Sequence, residues 1–255
     1  MQENLKLAIS GTYSTGKSTT TEALSIATGL PRTHAMTSRE ILIDLIPGKT
    51  VMDLNAMELI KLGLRRFEER VHNESGPGPF ISDGGVFHEW VYFEARMRVG
   101  INPGAPKWFQ AVKKVTGLPV KHFYQRYTDT LGDVTRSRAK RIYDAYVHLP
   151  VEFDMHKDGH RPVSEPFRRL SDDLLIEALQ DLGIPYHVVG GPIPERVDRI
   201  IELFDMQQVV PTAEAIELAQ ARVRAATDVL EQDARFHEAQ RQKTFGRQLK
   251  YALRY

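Results

Sequence analysis

The feature that most constrains this chain is the segment Gly11–Ser18, which reads Gly-Thr-Tyr-Ser-Thr-Gly-Lys-Ser and completes the phosphate-binding pattern G-x-x-x-x-G-K-[ST]. A short apolar run, Leu5–Ser10, precedes it, and Ser18–Ala27 follows with the apolar spacing of a helix. In this strand–loop–helix context, glycines let backbone amides surround an anion, and the helix N-terminus adds positive potential. The sequence therefore predicts a binding site for a nucleoside triphosphate with Mg²⁺.

Two side chains of this loop have defined chemical tasks. Lys17 would reach the terminal phosphates, and the hydroxyl of Ser18 would bind Mg²⁺. An ordinary glycine-rich turn does not explain why Lys17 and Ser18 directly follow Gly16. The predicted nucleotide-binding residues are Gly11, Thr12, Tyr13, Ser14, Thr15, Gly16, Lys17, Ser18 and Thr19.

Composition limits the classes of protein that remain. A length of 255 residues suits one α/β domain with a helical appendage, and the net charge of +1 does not favour a nucleic-acid partner. The absence of cysteine excludes disulfides, thiolate zinc sites and a cysteine nucleophile. The N-terminus lacks a basic signal-peptide region, and no apolar stretch is long enough to span a bilayer. We therefore expect a cytoplasmic protein with no membrane partner.

Short apolar runs separated by long helical stretches predict a parallel sheet with helices on both faces. The predicted strands are Lys6–Ser10, Leu30–Thr33, Phe80–Ser82, Ala145–Leu149 and Tyr186–Val189. The predicted helices include Met52–His72, Val86–Val99, Leu170–Leu182 and Glu195–Phe204.

The same patterns predict the domain organisation. Residues 1–210 form one domain, with a proline-containing helical insertion at about 101–141 that we expect to lie outside the core. Residues 211–255 form a C-terminal helical extension with no strand signal. Its last fifteen residues are basic and aromatic, which is typical of a docked helix with a solvated basic face; a nucleic-acid or membrane arm is the alternative.

A carboxylate is needed near the phosphate loop, and Asp83 at the end of the predicted strand Phe80–Ser82 fits by type and position. It could organise Mg²⁺ through water, act as a base toward an acceptor hydroxyl, or both. The competing interpretation is a helix N-cap, because Asp83 precedes a predicted helix and aspartate is a preferred cap.

The segment from Tyr143 to Pro192 resembles the NadR-like, ribosylnicotinamide-kinase-like P-loop kinases, a group often described as AAA family ATPases. With Gly11–Thr19 and Asp83, the resemblance covers most of the chain from Leu5 to Leu203. The residues that carry it in this segment are Tyr143-Asp144, Leu149–Phe153, Asp158–Pro162, Arg168 and Leu182–Gly190.

The resemblance implies a P-loop kinase fold with a five-stranded parallel sheet, and phosphoryl transfer from ATP to a hydroxyl group of a nucleoside-like molecule. It also implies a lid at about 154–169, whose arginines Arg161 and Arg168 would close over the phosphates. A guanidinium group suits this task because it stays charged and binds phosphate in a fork, although a solvated surface loop is the alternative. The family usually has an arginine directly after the strand-end aspartate. This chain has Gly84, which argues against assuming ribosylnicotinamide as the acceptor.

Residues for the acceptor are predicted from position alone. Arg39 lies at the start of a helix where Thr37 could equally serve as a cap, and His88 lies on the helix after Asp83. Tyr124 and Arg126 belong to an aromatic and basic cluster that could stack a base and hold an anion. Because basic residues are frequent in the insertion, we expect an acceptor with an anionic group.

The leading interpretation is an ATP-dependent kinase of a nucleoside or nucleotide-like metabolite. A P-loop ATPase that acts as a switch and a nucleic-acid-linked NTPase are the alternatives. The chain has no Asn-Lys-x-Asp guanine signature and no second carboxylate beside Asp83, which disfavours a switch. The sequence leaves a homodimer open.

Overall fold

Strands and helices alternate along the chain in the computed structural model, which describes residues 4–51, 54–99, 118–154 and 165–239. The elements are β1 (Lys6–Ser10), α1 (Lys17–Thr28), β2 (Arg32–Thr33), α2 (Ser38–Leu45), α3 (Ala56–Asn73), β3 (Phe80–Asp83), α4 (Phe87–Val99), α5 (Leu118–Ile142), β4 (Ala145–His148), α6 (Glu165–Leu182), β5 (Tyr186–Val188), α7 (Ile193–Leu203) and α8 (Thr212–Ala239).

The five strands form one parallel sheet in the order β2-β3-β1-β4-β5. The predicted α/β fold with a five-stranded parallel sheet is therefore confirmed, and each predicted strand is present with ends that differ by at most two residues. The register pairs Ile9 with Asp83 and Ser10 with His148. Because parallel strands end at the same edge, the phosphate loop after β1 lies beside Asp83.

Alternating residues of β1 pack on opposite layers of helices. Leu7 and Ile9 belong to the core formed with α1, α7 and α8, whereas Ala8 belongs to the core formed with α3, α4, α5 and α6. In the first of these cores, Ala215 and Ala219 of α8 are fully buried. The predicted C-terminal extension thus begins with residues that complete the packing of α1; its basic end, 240–255, lies outside the described residues.

The insertion was expected to lie outside the core, and this expectation is wrong for α5. Tyr124, Leu131 and Ala139 of α5 are buried in the core that covers α4. The physical reason is that α4 carries buried apolar residues around most of its circumference, including Trp90 and Phe93, so it needs helices on several sides. Residues 101–117 of the insertion lie outside the described residues. Within the described ranges, no helix is long and apolar enough to cross a membrane.

We predict that Gly85→Ala destabilises the protein more than Gly183→Ala does. Both glycines have a left-handed backbone, with φ of +69° and +62°, so both substitutions carry a strain of about 1–2 kcal/mol. A Cβ atom at Gly85 would lie 3.0 Å from the Tyr146 ring and 3.2 Å from Ala8 Cβ, whereas Gly183 faces open space. Overpacking should therefore cost Gly85→Ala about 1–3 kcal/mol more in urea unfolding. Equal losses in the two variants would show that the packing around Gly85 is not tight.

Candidate functional site

The phosphate loop leads into α1 through backbone conformations that favour glycine. Gly16 has φ of +79° directly before the first residue of α1, and Ser14 also has a positive φ of +58°. At Gly11, where φ is +142°, a Cβ atom would lie 2.8 Å from both the Leu149 carbonyl oxygen and Thr15 Oγ1. The motif glycines are therefore required by the geometry of the turn and not only by its flexibility.

Each carbonyl oxygen of the loop from Gly11 to Gly16 accepts a hydrogen bond within the protein. The donors come from α4, α6, α7, the loop itself and α1. The pairs are His88 Nε2 to Gly11 O (2.9 Å), Thr15 Oγ1 to Thr12 O (3.1 Å), Arg168 Nε to Tyr13 O (2.9 Å), Arg168 Nη2 to Ser14 O (3.3 Å), Arg196 Nη1 to Thr15 O (2.6 Å) and Thr20 N to Gly16 O (2.9 Å).

This set of contacts, which we call the carbonyl clamp, determines which way the loop amides point. No peptide bond in the described ranges is cis, so the N–H and C=O groups of each peptide point in opposite directions. Because the carbonyl groups point toward their hydrogen-bond donors, the amide groups of the same peptides point away from those donors. The hydroxyl of Thr12 is buried and has no hydrogen-bond partner among the described residues. Both features fit a loop built to surround an anion.

His88, predicted to face the acceptor, instead contributes to the carbonyl clamp. Burial, and next the charge of Lys17, lower the pKa of His88 to about 3, so its ring is neutral at ordinary pH. The ring nitrogens Nε2 and Nδ1 lie 2.9 Å from Gly11 O and 3.3 Å from Gly85 O, and a neutral ring donates from only one of them; the shorter distance assigns the proton to Nε2. The edge of the ring meets Tyr92, which stacks on Tyr13 of the loop at 4.7 Å.

Arg168, predicted as a lid arginine, is only 1% exposed and lies behind the phosphate loop. Besides Tyr13 and Ser14, its guanidinium donates to the Phe153 carbonyl at 2.6 Å and to Glu165 at 3.1 Å. The arrangement positions the loop through its carbonyls. Arg161, the other predicted lid arginine, and residues 155–164 of the predicted lid lie outside the described residues.

Asp83 lies at the carboxyl end of β3 and is bound by two cations. Lys17 Nζ donates to Asp83 Oδ1 at 2.8 Å, and Arg32 Nη2 donates to Asp83 Oδ2 at 2.6 Å. Burial alone would raise the pKa of Asp83, but Lys17 and Arg32 hold it well below its usual range. Val86, and not Asp83, directly precedes α4. The structure thus brings together three of the groups that phosphoryl chemistry needs: the loop, its lysine and a carboxylate.

A buried cluster of charges, absent from the sequence-based prediction, lies behind Asp83. Arg70 is 2% exposed and donates to the Asp83 carbonyl oxygen, to Glu74 and to Glu89. Burial would lower the pKa of Arg70, but the two carboxylates raise it. The spacing of Arg66, Arg70 and Glu74 along α3 is a signal that these residues share one side, yet nothing in the local sequence shows that this side is buried.

Glycine at position 84 lies between this cluster and His88. Gly84 has φ of +106°, and a Cβ atom there would lie 3.3 Å from His88 Nδ1 and 3.5 Å from Arg70 Nη2. A long side chain at this position would meet both the backbone restriction and the neighbouring groups. The positive φ, together with the close approach of His88, therefore favours glycine at position 84.

The remaining predicted acceptor residues are dispersed. Arg39 is half-buried in the first turn of α2, which Thr37 caps through a reciprocal pair of bonds with Glu40. Tyr124 is 1% exposed and packs against Phe93, whereas Arg126 of the same helix is exposed. Tyr124 and Arg126 thus lie on different sides of α5 and are not brought together.

Comparison with known proteins matches residues 6–196 to the family described as "AAA domain". The chain belongs to this family. No curated protein matches it. The sequence-based resemblance is confirmed at the level of family and P-loop kinase fold.

Solved structures share the fold at low sequence identity. Deoxyadenosine kinase from M. mycoides with bound dATP matches with a TM-score of 0.57 and 14% identity, over 79% of this chain and 100% of that one. The NadR protein in complex with NR matches with a TM-score of 0.53 and 15% identity, over 81% of this chain and 53% of that one.

We predict that Arg168→Ala lowers the free energy of unfolding by about 2–4 kcal/mol, because it leaves buried carbonyl groups without donors. It should also weaken MgATP binding about ten-fold, because the loop loses part of its carbonyl clamp. Arg169→Ala is the matched control, since its side chain is 78% exposed; it should change stability by less than about 0.5 kcal/mol. Calorimetry and urea unfolding measure both effects, and similar behaviour of the two variants would contradict the clamp.

A second prediction concerns pH. The pKa of His88 is about 3 in the fold and 6.5 in an open chain, so protonation favours unfolding. This contribution is fully present above pH 6.5 and is lost as the pH falls toward 3. Between neutral pH and about pH 4, wild type should therefore lose roughly 2–4 kcal/mol more than His88→Gln, whose amide does not titrate. Parallel urea-unfolding curves with equal losses would show that His88 is not held neutral.

Proposed function

We propose that this chain is an ATP-dependent kinase that transfers the terminal phosphate of ATP to a hydroxyl group of a nucleoside or nucleotide-like metabolite. The observation that carries the proposal is the contact between Lys17 and Asp83 at the open end of an anion-binding loop. The fold is shared with deoxyadenosine kinase and NadR, which supports phosphoryl transfer among the activities that a P-loop can serve.

In this reaction a bond forms between the acceptor oxygen and the terminal phosphorus, and the bond from that phosphorus to the bridging oxygen of ADP breaks. Lys17 neutralises the charge that develops on the transferring group, and the loop amides hold the neighbouring phosphates. The proton of the acceptor hydroxyl is released as the new bond forms.

Ser18 and Asp83 are the residues that would hold Mg²⁺. Within the described ranges, no group of three or more His, Cys, Asp or Glu side chains could hold a metal. One carboxylate and one hydroxyl still fit Mg²⁺, since this ion usually keeps several waters and takes its other ligands from phosphates. When bound, Mg²⁺ would withdraw charge from the phosphate oxygens.

The charge around Asp83 favours an electrostatic task over proton acceptance. A carboxylate bound to both Lys17 and Arg32 has a pKa well below its usual range and is a weak base. Asp83 would therefore act mainly through its negative charge, which orients the water shell of the metal, and the proton would leave to water.

The structure gives less support than the sequence does to the expectation that the acceptor carries an anionic group. Arg136 lies over the Trp90 ring at 4.2 Å, and Arg138 donates to the Val71 carbonyl. These two basic residues of the insertion thus serve packing. Arg126 remains exposed on α5 and Arg39 lies on α2; we propose both as candidates for an anionic group of the acceptor.

The decisive experiment incubates the protein with MgATP and a pool of nucleosides and nucleotides. Mass spectrometry should reveal a product that has gained one phosphate. Lys17→Ala should form no such product, because it lacks the charge that meets the terminal phosphate. Conversion of ATP to ADP at the same rate with and without the pool would instead support a P-loop ATPase.

We predict that Asp83→Asn reduces turnover by roughly two to four orders of magnitude. The matched control is Asp144→Asn: Asp144 accepts a bond from the Lys6 amide at the opposite edge of the sheet. That variant should lose about 1 kcal/mol of stability and keep its turnover. Steady-state kinetics and thermal unfolding distinguish the two, and near-normal turnover of Asp83→Asn would remove Asp83 from the mechanism.

A further inference from the structure

The single carboxylate of Asp83 is paired with two cations. Its two oxygens are taken by different cations, Lys17 on Oδ1 and Arg32 on Oδ2, and its side chain is 7% exposed. Arg32 lies in β2, the neighbour of β3, where the register places it opposite Ile81. The sheet itself therefore holds Arg32 beside the aspartate.

Lys17 has two anionic partners, the Asp83 carboxylate and the phosphates of the nucleotide. In the structure it is bound to Asp83, whereas phosphate binding requires its ammonium group at the terminal phosphates. When the nucleotide takes Lys17, the buried Asp83 carboxylate loses that partner. A buried carboxylate that loses its direct ion pairs carries a large energetic penalty, which would oppose nucleotide binding.

We propose that Arg32 is a positioning residue that holds the Asp83 carboxylate while Lys17 moves to the phosphates of the nucleotide. The inference rests on the proposed function, because it assumes that the loop binds a nucleoside triphosphate. Arg32 suits the task because its planar guanidinium can bind two carboxylates through separate nitrogens.

The second carboxylate keeps Arg32 oriented. Arg32 Nη1 donates to Glu22 Oε2 at 3.1 Å, and Glu22 in turn accepts from Arg222 of α8 at 2.8 Å. Alternating charges therefore run from Lys17 through Asp83, Arg32 and Glu22 to Arg222. Arg32 is the member of this series that contacts both acidic residues, so its position does not depend on Lys17.

The experiment measures MgATP binding by calorimetry, which needs no acceptor. Arg32→Ala should bind MgATP about ten-fold more weakly than wild type, because Asp83 then loses its last direct ion pair when Lys17 moves and keeps only the water shell of Mg²⁺. Arg222→Ala is the matched control, since Arg222 contacts Glu22 but not Asp83; it should stay within about two-fold of wild type. An unchanged affinity of Arg32→Ala would overturn the inference.

A double-mutant cycle separates this positioning effect from a direct contact with nucleotide or a general structural effect. In an Asp83→Asn background there is no charge to hold, so adding Arg32→Ala should change the affinity by less than about two-fold. An equal loss in both backgrounds would overturn the inference. Millimolar methylguanidinium should restore binding of Arg32→Ala and leave Arg222→Ala unchanged; failure of rescue in a folded variant would also count against it.

Thermal unfolding checks that the variants are folded. If Arg32→Ala does not fold, Arg32→Gln takes its place, since it keeps an amide donor and part of the aliphatic stem but lacks the charge. If wild type fails to bind MgATP, both the proposed function and this inference fall. If wild type binds MgATP and the Arg32 variants bind it with the same affinity, the inference about Arg32 falls and the proposed function is unaffected.

Discussion

The hydrogen bonds that hold the carbonyl oxygens of the phosphate loop are the interactions on which the rest of the site depends. His88 and Arg168 reach the loop from the layer of helices on one face of the sheet, and Arg196 reaches it from the other. Arg196 is fully buried and also donates to Gly191 O and Glu152, with its guanidinium over the Phe153 ring. A buried guanidinium is acceptable only when such partners satisfy its donors. The loop therefore joins both layers of the fold.

The positive and negative side chains at the end of β3 neutralise one another, and this pairing is a second constraint on the site. Asp83 faces Lys17 and Arg32 with its carboxylate, while its carbonyl oxygen accepts from Arg70. Arg70 is in turn neutralised by Glu74 and Glu89. Rearrangement of one charge changes the environment of the next, because screening by water is weak among buried groups. The charges of the site are thus coupled to one another within the buried interior.

The helices, the strands and the phosphate loop could be predicted because the sequence patterns that indicate them are local. The motif Gly11–Ser18 and the period of apolar residues are read from neighbouring positions, and they fix the parallel sheet and the place of Asp83. Arg32, Arg70 and Arg196 were missed because their partners are distant in sequence; Arg196 and the Thr15 carbonyl are separated by 181 residues. Such contacts follow from packing, which no short segment encodes. Arg168 was selected by resemblance, but its position behind the loop was not foreseen.

The packing of α8 on α1 has a consequence for how the chain folds. Helix α1 is synthesised well before α8, because Arg222 of α8 lies 200 residues beyond its partner Glu22. Until α8 emerges, one flank of α1 lacks the cover that Ala215 and Ala219 provide. Contacts between residues that lie far apart in sequence close long loops, which costs chain entropy. Such contacts form slowly during folding. The helix that begins at the phosphate loop is thus synthesised about 200 residues before the helix that completes its cover.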